Sequence, residues 1–171
     1  MANYVATVNG GGAAVAISVH GNKAVAYVCN GHAVAGWFRG NAVGGKLDLT
    51  GKNGATLTVS YRNASAAGSI TADGTTYTFS APMVNAGSTV STSGKPPGLY
   101  EATGVVDGTT VKAGWIVLPD GSQVGSVEYD PGSAVPPTAQ APVLDLATGT
   151  ASYAGITLVA SLISGITGSG F

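Results

Sequence analysis

Apolar and polar residues alternate with a period of two from Tyr4 to Ala81, broken roughly every 8–12 residues by Gly, Asn or Asp, which is the spacing of an all-β meander, sandwich or barrel. Thr56–Tyr61 is the cleanest case, with Leu57, Val59 and Tyr61 on one face and Thr56, Thr58 and Ser60 on the other. Tyr4–Val8 turns at Asn9-Gly10-Gly11-Gly12, and Ala14–Val19 aligns Val15, Ile17 and Val19 before Gly21-Asn22. Ala24–Phe38 reads as two strands joined at Asn30-Gly31, because a type I′ turn needs positive φ at both central residues and Asn and Gly adopt it cheaply. Lys46–Thr50 brings Leu47 and Leu49 together, and Gly68–Ala72 pairs with Thr76–Ala81 across Asp73-Gly74, with Tyr77 and Phe79 inward. About eight strands result, enough to close a small antiparallel barrel.

This pattern predicts a first domain over residues 1–82. Residues 83–97 lose the alternation to Gly, Ser, Thr and Pro and read as a linker. A smaller β lobe follows over 98–171, with a Pro-rich extended connector at 130–142 in place of a strand, and an apolar C-terminal segment. In that segment Ile156, Leu158 and Ala160 alternate as in a strand, while Val159, Leu162, Ile163 and Ile166 fall at helical spacing. The β-favouring Thr157-Leu158-Val159 tips the reading toward a final strand ending near Ile163. Short echoes link the two parts. Tyr4-Val5-Ala6-Thr7 is similar to Tyr100-Glu101-Ala102-Thr103, and Ala35-Gly36-Trp37-Phe38 to Ala113-Gly114-Trp115-Ile116, as in a shortened duplicate.

Charged residues are 9% of the 171, against a usual value of about 25%, so Ser, Thr, Asn and backbone must carry the surface. A formal net charge of −1 leaves no basic patch for phosphates or anionic membranes, which argues against nucleic-acid partners. Disorder is disfavoured by the recurring Val, Ile, Thr and Tyr. No apolar run is long enough for a transmembrane helix. No secretory leader opens the chain, yet the low charge suggests export, and Met1 is read as standing in place of a removed signal or anchor.

Candidate chemistry is sparse. Gly40–Lys46 has the spacing of a phosphate-cradling loop, but Leu47 replaces the magnesium-binding hydroxyl and a strand follows where a helix is needed. Cys29 and His32 flank the central turn, and only His20 and scattered carboxylates remain to complete a metal set, so neither metal nor cofactor is predicted. No Gly-x-Ser-x-Gly occurs, and most aspartates precede Gly or Pro, where they serve turns. No catalytic residue is assigned, and the chain reads as a non-enzyme. Tyr27, Trp37, Tyr61, Tyr77 and Phe79 are expected to point into one barrel, filling it or lining space for a small apolar ligand. Trp115, Ile116 and Leu118 belong to the most apolar run of the second lobe and, with Leu162 and Ile163, form the predicted contact surface; Trp115 is either core or the centre of a subunit contact.

With Ala26-Tyr27-Val28-Cys29-Asn30-Gly31, the following Trp37, Gly98-Leu99-Tyr100-Glu101-Ala102, and the run from Gly114 to Gly125, the chain resembles a group of exported actinobacterial β-rich domains. The shared layout is a β-meander, a Pro-Gly-Leu-Tyr junction and a Leu-Pro-Asp-Gly hairpin, and it extends to about Leu158. The resemblance implies an envelope or extracellular location and carries no activity. The expectation is therefore a non-enzymatic exported or cell-envelope protein acting through a protein partner or self-assembly, because a short second sheet exposes edges. The alternative is a carrier of a small apolar ligand.

Overall fold

The computed structural model describes residues 2–31, 35–84, 95–130 and 138–163. Eight consecutive antiparallel strands form a closed barrel: β1 (Ala2–Thr7), β2 (Ala14–His20), β3 (Lys23–Cys29), β4 (Ala35–Val43), β5 (Lys46–Thr50), β6 (Thr56–Arg62), β7 (Ser65–Ala72) and β8 (Thr75–Val84). Closure comes from Asn3 opposite Val84 and Tyr4 opposite Met83. Residues 83 and 84 thus belong to the barrel and not to the predicted linker. Pairing passes Pro82, since the Met83 N–H still donates to Ala64 O at 2.9 Å.

Asp73-Gly74 makes the expected tight turn, with φ of 48° and 74°. The β3–β4 connection differs from expectation. Its pairing ends at Cys29 opposite Ala35, so the five positions 30–34 join the strands and no two-residue Asn30-Gly31 turn forms. Gly31 has φ 81°, but Asn30 lacks the positive φ that type I′ geometry requires of both residues. Gly40–Lys46 runs out of β4, through Gly44-Gly45, into β5. It is a hairpin tip, not a phosphate loop.

Inside the barrel, Tyr4, Ile17, Phe38, Leu47, Leu49, Leu57, Val59, Ile70 and Phe79 are buried in one contiguous cluster, with Tyr61 and Tyr77 partly buried against it. The outward positions of β6, and of β8 as far as Pro82, are exposed and, apart from Arg62 and Pro82, hydroxyl-bearing: Thr56, Thr58, Ser60, Thr76, Thr78 and Ser80. Over β6 and β8 the barrel is thus apolar inside and hydroxyl-rich outside, the reverse of a lipid-facing strand. No helix among the described residues is long and apolar enough to cross a membrane.

The second lobe consists of β9 (Gly98–Val106), β10 (Thr109–Val117), β11 (Gln123–Tyr129), β12 (Thr138–Gln140), β13 (Thr150–Tyr153), β14 (Ile156–Val159) and β15 (Ser161–Leu162). Five of these form a sheet in the order β12-β11-β10-β9-β15, and β13 pairs with β14. The predicted connector therefore contains a short strand, with Ala139 opposite Val127, while residues 131–137 lie outside the described ones. Gln123 explains part of this compactness. Its side-chain amide donates to Leu144 O at 3.0 Å and accepts from Leu144 N–H at 2.8 Å, so one side chain replaces a strand partner.

The central sheet is covered on both faces, which is why β10 is buried from Val111 to Val117. One face packs on the outside of β2 and β3, and those strands are likewise buried at nearly every position. The other face, holding Tyr100, Val111, Ala113, Trp115, Val117 and Val127, is capped by Leu144, Ala151 and Leu158. The C-terminal segment is strand, as expected, but bends at Ala160. The Ala160 N–H donates to Gly149 O at 2.8 Å, and the next residue, Ser161, already pairs with Glu101 on β9. Residues 164–171, including Ile166, lie outside the described ones.

Candidate functional site

Two regions gather what chemistry the chain has: the seam where the sheet meets the barrel, and the outer edge of β9. Strand periodicity builds the seam. On β10, Lys112, Gly114 and Ile116 point toward the barrel, alternating with Val111, Ala113, Trp115 and Val117 in the second core. Register places Glu128 and Thr103 beside Lys112, and Ser126 and Glu101 beside Gly114.

From the barrel, Tyr27 and Trp37 meet this row. They are cross-strand partners with ring centroids 4.6 Å apart. Tyr27 Oη and Ser126 Oγ share a hydrogen bond of 2.5 Å. Lys112 Nζ sits 4.2 Å from the Trp37 ring centroid and 3.2 Å from Glu101 Oε2. Among the described residues Glu101 Oε2 accepts no directed hydrogen bond, and the Lys112 ammonium is its ion-pair partner. At the rim, Lys52 Nζ on the β5–β6 connection reaches Glu128 Oε2 at 3.3 Å, and Ser18 Oγ donates to Ile163 O at 3.4 Å. Burial pushes the Tyr27 phenol well above its ordinary pKa, and Cys29 beside it is also raised, chiefly by burial. Both groups are held in their neutral forms.

An amine, two carboxylates, a phenol, a thiol and a hydroxyl are thus neighbours, yet the seam is closed. Lys112 is 2% exposed and Tyr27 and Cys29 are 0%. A substrate has no route to them while the sheet is docked, so in this state the groups orient the sheet on the barrel. An ammonium placed between a carboxylate and an aromatic face keeps its charge compensated in an otherwise apolar contact.

The predicted site residues divide accordingly. Tyr61, Tyr77 and Phe79 do face the barrel interior, whereas Tyr27 and Trp37 point outward into the seam, because they occupy the opposite phase of β3 and β4 from Ala26, Val28 and Phe38. Trp115 is core of the second lobe, 1% exposed, with its indole N–H donated to Pro142 O at 2.8 Å, and is not a subunit contact. Ile116, Leu118 and Ile163 pack in the seam and Leu162 in the second core, so this predicted contact surface is turned inward. His20 is exposed at the end of β2, and His32 lies outside the described residues. Among the described residues no three His, Cys, Asp or Glu side chains group as a metal set. Lys112 also belongs to this seam. A charged residue in the middle of Val111–Val117 was the available signal.

The edge of β9 is the second region. β15 pairs only with Tyr100 and Glu101, and beyond Glu101 no strand among the described residues is hydrogen-bonded to that edge, although β14 packs against β9 there with Ile156 and Leu158 over Gly104. Ile163 N–H donates to Leu99 O, so by alternation the N–H and C=O groups of Glu101, Thr103 and Val105 also face this edge. Thr103 is exposed, and Val105 is 57% exposed. Comparison with protein-family models, curated proteins and solved structures found no match.

Proposed function

We propose that the chain is a non-enzymatic, exported or cell-envelope protein that works through protein contacts, with the open edge of β9 as its contact element. The observation that carries this reading is the run Thr103-Gly104-Val105-Val106, whose outward backbone groups have no strand partner among the described residues and which contains no charge and no proline. Sheets that must stay single guard such edges with Lys, Pro, bulges or covering loops, and a bare β-branched edge is the template for strand addition. The resemblance to exported domains supports the location. The packed side-chain cluster inside the barrel favours contact over carriage of an apolar ligand.

A photo-crosslinking residue at position 105 in producing cells tests the reading, with one at the exposed Thr58 on the outer barrel face as control. Adducts of raised mass from position 105 and none from 58 are expected. No adduct from 105, or equal yields from both positions, contradicts the proposal.

A further inference from the structure

Resting on the open-edge reading, we infer that the strand completing the sheet is β9 of a second copy, paired antiparallel about a two-fold axis at Gly104. Thr103 and Val105 each present one N–H and one C=O outward, with Gly104 between them turned to Val111 on β10. About a two-fold axis at Gly104, Thr103 of one chain meets Val105 of the other, and Val105 meets Thr103. Each of these pairs exchanges both of its N–H···O bonds, so all four backbone groups on each side are satisfied. The edge is its own complement.

Neighbouring features fit the same arrangement. Asp107-Gly108 turns the chain immediately after Val106, with φ of 48° and 79°, which stops the incoming strand before it reaches Ser161 opposite Glu101. The facing side chains, Thr against Val, are β-branched and uncharged, a favourable cross-strand pair with no like-charge repulsion. A two-fold contact closes on itself and yields a dimer instead of a fibre. Because the overlap is short, the interface falls below the roughly 1,000 Å² of permanent complexes, and the dimer is reversible with a Kd on the order of 10–1,000 μM.

Sedimentation velocity of the full chain across that range tests the inference, alongside Val105→Lys and Val105→Pro. The proline removes only an outward N–H, so the fold keeps its ladder. A monomer–dimer equilibrium in the wild type, weakened at least tenfold in both variants at unchanged melting temperature, is expected. A wild-type chain that stays monomeric throughout overturns self-pairing, and so does a dimer that neither variant weakens. If cellular crosslinks at position 105 then carry a different protein, the open-edge reading stands while this inference falls.

Discussion

Gly114→Ala perturbs the seam at its centre. A methyl at position 114 lies 2.8 Å from Trp37 Cζ2 and 3.2 and 3.3 Å from Tyr27 Cζ and Cε1. The indole must move by several tenths of an ångström, and it packs against Tyr27 at an interplanar angle of 38° and lies under Lys112 Nζ. Overpacking of this kind costs about 1–3 kcal/mol, and replacing glycine in a strand returns about 0.5–1 kcal/mol. The difference spans about 0–2.5 kcal/mol and centres on a loss of about 1 kcal/mol, a fall in melting temperature of roughly 2–4 °C for a chain of this size. Urea denaturation followed by tryptophan fluorescence measures it. Gly36→Ala is the control, because its methyl meets nothing closer than Phe38 Cε2 at 3.6 Å, and it should be neutral or slightly stabilising. Combining Gly114→Ala with Trp37→Leu should reduce the alanine's cost by about 1 kcal/mol, since the clashing atom is gone. Equal stability of Gly114→Ala and wild type would refute the close docking of sheet on barrel.

Further expectations follow from the same geometry. Lys112→Met leaves the buried Oε2 of the partly exposed Glu101 without its cation and should cost about 2–4 kcal/mol in urea denaturation, with most of the loss recovered in Lys112→Met/Glu101→Leu. Ala154 is held at φ 48° in the β13–β14 turn, so Ala154→Gly should stabilise by about 1 kcal/mol, read as a raised thermal midpoint. Burial, and next the hydrogen bond with Tyr129, push Tyr153 up to about 12. The folded state thus favours the neutral phenol, and this contribution is intact below the ordinary value of about 10 and lost as pH rises toward 12. Phenolate absorbance should show Tyr153 ionising later than the exposed phenol of an unfolded chain, and its early ionisation in the folded protein would contradict the Tyr129 contact.

Legibility in the sequence tracked how many faces of a strand are buried. Thr56–Arg62 has one face in the core and one in water, so its alternation reports its orientation directly. Ala24–Cys29 is buried on both faces, and there the alternation gives no phase, so the sequence does not reveal that Tyr27 and Trp37 lie outside the barrel. The same ambiguity made Trp115 look like a surface contact. Lys112 escaped because a single charge in an apolar run has no repeat to mark it, and its compensation by Glu101 and Trp37 depends on register across strands. The bend at Ala160 was hidden because Ile156–Ile163 keeps strand-like composition across a change of sheet.

Amide hydrogen exchange of the dilute chain, resolved residue by residue, bears most directly on the edge of β9. Ala102 and Gly104 donate inward to β10, so their amides should exchange slowly, whereas Thr103 and Val105 should exchange quickly and become protected only when a strand is added. Equal slow exchange at all four amides in the dilute monomer would mean that the chain covers this edge itself, and the contact function assigned to it would be wrong.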